Sequence, residues 1–303
     1  MGMQALNHGI MTLKHPVMWI YPILAGLFFF AAVMFSLAEV TDYFGLKFVL
    51  LFFVFVSPFF VAGTYAAVKS GDFSIKSYFK SAAEGYFRIM LPKTALYFVI
   101  VLIMFITTIP ASFMQNAAFF SVFAFFIAVT MIMLTFFYDT AAIFENKKIF
   151  ESLTRSIGLV SAKPLEAILF FIVAALLAFV FFMGYTMVWS SLLAEEFEPL
   201  LTMTQSELTA FSQDTANLVN LIGDRGVLVT AVISGITMLL FTLIFLPYKA
   251  VFYRDDLMVS FFDIPENRGD KYVYFHTGAD KSSSDENVGD ESDKKESDNT
   301  ENK

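Results

Sequence analysis

The chain has no cysteine among its 303 residues. That excludes disulfides, thiolate metal sites and thiol catalysis together. Histidine is nearly as scarce: His8, His15 and His276 are scattered, and no H-E-x-x-H pair exists to hold a catalytic zinc. The G-x-S-x-G elbow, the P-loop and the dinucleotide fingerprint are missing as well. The reading is therefore of a protein that is not an enzyme and carries no cofactor. Charge is thin, at 16% of residues, against about 25% in soluble domains. None occurs from Thr94 to Phe137, and none from Ala167 to Ala194. No basic cluster of the kind that binds nucleic acid is present.

What fills the chain instead is apolar. It is 57% hydrophobic, with 39 Phe and a mean hydropathy of +0.66. Runs of 18 or more apolar residues read as membrane helices, and six occur, at about 17–38, 45–67, 94–111, 118–138, 166–190 and 227–247. Lipid offers backbone groups no partner, so each run must satisfy its own, and continuous runs without alternation select helices over a barrel. The Phe and Met abundance reads as lipid-facing and packing bulk. The expected fold is an all-α integral membrane protein. The first run, about 22 residues, exceeds the roughly 7–15 of a signal peptide, and Leu6 stands where myristoylation wants Ser or Thr. The transmembrane domain is placed at 1–255, with a short cytoplasmic segment at 256–279. From Asp280 nine acids meet four lysines with almost no apolar residue, so 280–303 is expected to be a disordered acidic tail.

The basic residues orient the bundle. Lys14, Lys69, Lys76, Lys80, Arg88, Lys93, Lys147, Lys148, Arg155, Lys163, Lys249 and Arg254 fall on one set of connectors, and only Lys47 and Arg225 on the other. By the positive-inside rule, twelve against two puts both termini in the cytoplasm of a multi-pass cell-membrane protein. The outer connectors are 39–47, a turn at Pro110–Asn116, and an acidic loop at 191–226. That loop has helical spacing over Gln205–Ile222 and reads as a solvated acidic face.

Three stretches repeat a pattern: "LKHPVMWIYPIL", "IMLPKTALYFVI" and "SAKPLEAILFFI". Pro16, Pro92 and Pro164 each follow a weakly amphipathic segment bearing Gly9, Gly85 or Gly158. Each hairpin then ends at a tyrosine, Tyr65, Tyr138 or Tyr248. The Pro-to-Tyr separations are 49, 46 and 84, and removing the 36-residue outer loop from the third leaves 48. The expected architecture is three hairpin repeats, each preceded by an amphipathic interfacial helix, with proline at the corner between them. In "ENKKIFESLTRSIGLVSAKP" (Glu145–Pro164), Asn146 is the expected N-cap and Glu151 the expected i, i+4 partner of Arg155.

The segment "FFYDTAAIFENKKIFESLTRSIGLV" resembles a motif of uncharacterised prokaryotic, archaeal-type polytopic membrane families, distantly similar to the membrane domain found beside some glycerophosphodiester phosphodiesterases. The matching positions are Tyr138, Asp139, Glu145, Leu153, Arg155, Ser156, Leu159 and Val160. The resemblance implies a six-helix bundle with interfacial helices and imports no activity, because no phosphodiesterase catalytic domain follows.

Intramembrane ionisable residues mark transport and proton pathways. The six runs hold essentially none: Glu39, Asp139 and Glu166 stand at span ends, where water or headgroups solvate them. Pro58 and Pro110 read as kinks repaired by their neighbours, and Gly63 with Ala67 as a small-residue pair that lets helices approach. Asp139, Glu145, Arg155 and Ser156 are the candidate headgroup or motif positions. The expected partners are the bilayer and its anionic headgroups, with a protein partner or a second copy left open. The expected role is structural, regulatory or lipid-interacting. The alternative is a transporter or permease subunit for a neutral or amphiphilic substrate.

Overall fold

The computed structural model describes residues 2–37, 44–113, 117–213 and 215–258. The readings made for Glu39 and for the tail from Val259 onward lie outside them. The described residues are helical, with no strand among them. Six helical stretches are long and apolar enough to cross a membrane, so the chain is a multi-pass membrane protein. They cover Pro16–Leu37, Lys47–Ser70, Ile75–Thr107, Val122–Phe144, Pro164–Leu192 and Ala216–Leu257.

The helices follow in the order α1 (Gly2–Thr12), a 3₁₀ turn (Pro16–Trp19), α2 (Ile20–Leu37), α3 (Phe44–Leu51), a π-helical turn (Phe52–Val56) and α4 (Ser57–Ser70). Then come α5 (Ile75–Phe113), α6 (Ala117–Thr135), α7 (Tyr138–Phe144) and α8 (Ile149–Ala162). The rest are α9 (Pro164–Leu192), α10 (Ala194–Leu201), α11 (Gln205–Phe211), α12 (Thr215–Phe252) and a π-helical turn (Tyr253–Leu257).

Glycine sets a close helix contact. Gly26 of α2 and Gly235 of α12 face one another: a Cβ on Gly26 would come 2.8 Å from the Gly235 carbonyl oxygen, and one on Gly235 2.9 Å from that of Gly26. Two helices can touch backbone to backbone only where both lack a side chain. Ala25 and Ala231 are buried nearby on the same helices. Gly63 plays a related part, lying 2.8 Å (as a Cβ would measure it) from the Tyr78 ring, so α4 and α5 pack through it.

Packing is uneven along the bundle. At the end bearing the lysines and arginines, here the basic end, one core contains Phe52, Tyr65, Tyr78, Phe137, Phe170, Tyr248, Phe252 and Tyr253, all nearly inaccessible. The other halves of α5, α6 and α9 present Val101, Phe105, Phe125, Phe126, Phe179 and Phe182 outward, as lipid-facing helices do. A small second cluster of Leu193, Ile222 and Val227 anchors the outer loop. There Trp189 Nε1 donates to Thr230 Oγ1 at 2.8 Å, and Arg225 pairs with Glu196 at 3.2 Å. The helix expected over Gln205–Ile222 is two pieces, α11 and the start of α12. A break at Gly223, whose φ of 57° suits glycine, ends the second. Thr204 and Glu207 form a reciprocal cap on α11. The Thr204 backbone N–H, then its hydroxyl, hold the Glu207 carboxyl below its usual range.

Proline behaves differently at the three positions expected to be corners. Pro16 opens the 3₁₀ turn, and Pro164 opens α9 directly after Lys163, whose φ of −127° and ψ of 62° are not helical. Pro92 is a correction: it lies inside α5, a continuous 39-residue helix with no separate interfacial helix before it. At 1.5 Å per residue α5 is about 58 Å long, beyond the roughly 40–45 Å of a whole bilayer. Tyr78 upstream and Lys93 downstream of the proline both bond to the neighbouring stretch around α4, and this double attachment supports the helix on both sides of Pro92.

Candidate functional site

Polar groups of the basic end converge around Tyr65, Asp139 and Lys249. Asp139 was expected in water or among headgroups; it is buried. Its carboxylate takes the Lys249 ammonium at 2.8 Å on Oδ1 and 2.9 Å on Oδ2, and the Tyr65 hydroxyl donates to Oδ2 at 3.1 Å. The Lys249 side chain is only 6% exposed and also lies 4.1 Å above the Phe136 ring. One carboxylate thus joins α4, α7 and α12.

Six residues further on, at Glu145, a second cross-link forms. Arg155 Nε donates to Glu145 Oε1 and Oε2 at 3.0 and 2.9 Å, and the Tyr253 hydroxyl donates to Oε1 at 2.6 Å. The expected Glu151–Arg155 pair is corrected accordingly. Glu151 Oε2 instead accepts from the Lys148 backbone N–H at 3.2 Å and so closes the start of α8. The expected cap at Asn146 is corrected too. The N-cap is Lys148, while Asn146 has a φ of 54° and its Oδ1 accepts from Arg88 at 3.0 Å.

Ser156 is fully buried. Its hydroxyl donates to the Leu134 carbonyl at 2.9 Å and accepts the Phe137 N–H at 3.0 Å, so it bridges the break between α6 and α7. Ser156 therefore has no exposed face for a headgroup, and Arg155 is already engaged by Glu145.

A third polar feature was missed because Lys93 was counted with the connectors. Pro58 has no N–H, and the π-helical turn before it shifts the local bonding by one residue. The Phe53 carbonyl is then served by side chains: Lys93 Nζ at 2.7 Å and Ser57 Oγ at 2.9 Å, with Lys93 also 3.3 Å from Ser57 Oγ. Phe53 and Ser57 are 6 and 10 residues from one end of the Lys47–Ser70 span and 17 and 13 from the other. Lys93 is consequently held well inside the span. The expectation that the spans hold no ionisable group is corrected by Lys93, Asp139 and Lys249. Their register along one chain did not reveal which of their neighbours would enclose them.

Lys249 had a signal of its own. It follows Tyr248 directly, as Asp139 follows Tyr138. Among the described residues, no three His, Cys, Asp or Glu side chains gather as a metal site would require. No family model, no curated protein and no solved structure matches the chain.

Proposed function

We propose that this is a non-enzymatic membrane protein of three hairpin repeats, with its basic end and both termini in the cytoplasm of the cell membrane. Its role is that of a lipid-interacting structural or regulatory platform. The repeat reading is supported by how the leading helices dock. Gly9 of α1 meets the backbone of Pro247 and Tyr248, the close of the third hairpin. Gly85 of α5 meets Ala62, near the close of the first, and Ile143, at the close of the second. Helix α8 is tied to the second through Ser156 and Arg155. The family resemblance rests on these same tied positions.

One observation carries the functional reading. The buried charges of the basic end are spent on cross-links between hairpins, around a core filled with aromatic rings. The exposed cations Lys76, Lys80, Arg88 and Lys148 sit among exposed Ile75, Phe79, Phe87 and Phe150. A rigid body edged with cations and apolar side chains suits the headgroup layer. Purified protein is expected to retain phosphatidylglycerol over phosphatidylcholine through detergent exchange. The K76Q/K80Q/K147Q/K148Q variant is expected to retain less, by mass spectrometry. Equal retention by both proteins overturns the reading.

A second reading, a transporter or permease subunit for a neutral or amphiphilic substrate, is favoured by Lys93 at the Phe53 carbonyl. Broken helices with freed carbonyls build transport sites. The test is a Ser57→Cys thiol: reaction with a small water-soluble thiosulfonate supports a wet path, and full protection removes this reading.

A further inference from the structure

Arg155 and Ser156 are engaged, yet a groove of about 560 Å³ opens beside them, between α5 and the start of α8. It is lined by Phe87, Arg88 and Leu91 from one side and by Asn146 and Lys148–Glu151 from the other. Two cations enter it from different helices. Arg88 gives one N–H to Asn146 Oδ1 at 3.0 Å, and a guanidinium has five to give. Lys148 is exposed at the mouth. The single carboxylate lining the groove, Glu151, is held by the Lys148 N–H at 3.2 Å. The rim is apolar and open: Phe150 is 74% exposed, Phe87 60% and Leu91 39%.

The apolar part continues along α5. Beyond Leu91, the exposed Phe98, Val101, Leu102 and Phe105 extend toward the other end of the bundle. A ligand suited to this surface has an anion at one end and a long hydrocarbon at the other. A water-soluble phosphate would leave the rings uncovered, and a neutral lipid would leave the guanidinium and ammonium unanswered.

We infer that the α5–α8 groove binds one anionic glycerophospholipid, its phosphate between Arg88 and Lys148 and an acyl chain along the exposed face of α5. Phe87 and Phe150 flank the glycerol region. The inference rests on the lipid-interacting reading above and names its site. Guanidinium and phosphate match in geometry as well as charge, so Arg88 fixes the headgroup and Lys148 adds attraction.

The test is native mass spectrometry of the purified full chain reconstituted with phosphatidylglycerol or phosphatidylcholine. Wild type is expected to keep one tightly held phosphatidylglycerol per chain and no matching phosphatidylcholine. R88Q/K148Q should weaken that binding about tenfold or more, since each interfacial cation contributes several-fold. K76Q/K80Q, with the same loss of charge on the same end of the protein, should leave it within about twofold. R88K/K148R keeps the charge but loses the guanidinium at position 88, so it should bind more tightly than R88Q/K148Q and less tightly than wild type, which also controls for folding; binding no tighter than R88Q/K148Q would count against the groove. If R88Q/K148Q and K76Q/K80Q weaken binding equally, the groove is refuted while a general lipid-interacting collar survives. If wild type holds no phosphatidylglycerol in preference, both readings fall.

Discussion

The Lys249 ammonium lies 2.8 Å from Oδ1 of Asp139, joining residues 110 apart in sequence within a bundle otherwise dominated by apolar side chains. Removing one partner of a buried pair leaves the other uncompensated, at a cost of about 3–5 kcal/mol. Asp139→Leu and Lys249→Met are each expected to lower the midpoint of thermal unfolding in detergent sharply. The double variant should lose clearly less than the sum of the two, because an apolar pair can replace an ion pair at little cost. Additive losses would show that the two groups do not depend on one another.

Tyr65 gives a graded version of the same experiment. Its hydroxyl donates to the Asp139 carboxylate at 3.1 Å. Tyr65→Phe keeps the ring and should cost about 1–3 kcal/mol, the usual range for a hydrogen bond to a charged group or a buried group left unpaired. In an Asp139→Leu/Lys249→Met background the same substitution should have a smaller effect. An unchanged effect in that background would assign the Tyr65 contribution to its ring rather than to the bond.

The Gly26–Gly235 contact predicts a size limit. Gly26→Ala and Gly235→Ala each place a methyl within 3 Å of backbone oxygen and should cost about 1–3 kcal/mol by overpacking. Gly158 of α8 has nothing within 4 Å of the corresponding position. Gly158→Ala should therefore be neutral or stabilising by up to about 1 kcal/mol through helix propensity. The comparison uses one substitution type in one assay, so a loss at Gly158 equal to that at Gly26 would contradict the packing account.

Lys93 and Pro58 should be coupled. Lys93→Met takes a donor from the Phe53 carbonyl and should cost about 1–3 kcal/mol. Pro58→Ala restores a backbone N–H near that carbonyl, so Lys93→Met should cost less in its presence. Equal costs in both backgrounds would mean that Lys93 acts through something other than the helix break.

Orientation can be read by labelling, since the native chain has no cysteine. Ser206 and Lys80 are both exposed, at opposite ends of the bundle. A Ser206→Cys thiol is expected to react with an impermeant maleimide on intact cells, and a Lys80→Cys thiol only after permeabilisation. The opposite pattern would reverse the topology.

The sequence carried the coarse architecture well, because twenty apolar residues in a row leave the backbone few options. Six spans were legible from hydropathy, whereas the tyrosines Tyr65 and Tyr248, read only as markers along the chain, lie in the core. What escaped was pairwise. Glu145 and Glu151 are both near Arg155 along the chain, and only folding decides that Glu145 faces it while Glu151 is drawn to the start of α8. Pro92 looked like Pro16 and Pro164, yet its helix runs on through it, attached to its neighbours on both sides. Gly26 and Gly235 each sit in ordinary apolar runs, and nothing local distinguishes a glycine that touches backbone from one that touches lipid. Asp139 was read at a span end among water or headgroups, whereas it lies inside the Val122–Phe144 stretch, buried against Lys249.

That partner arrives late. Tyr65 and Asp139 are made well before Lys249, which follows Asp139 by 110 residues, about 5–20 s of synthesis. During that interval the carboxylate has the Tyr65 hydroxyl and the neighbouring Thr140 N–H, but no cation, to answer its charge. Helix α1 waits longer still, because Gly9 seats against Pro247 and Tyr248. Both helix α1 and the central acid are completed by the same short stretch, Pro247–Lys249. Assembly of this protein is thus a closing step more than a sequential stacking, and a nascent chain stopped before Tyr248 would expose an unfinished charge to whatever surveys the membrane for misfolded proteins.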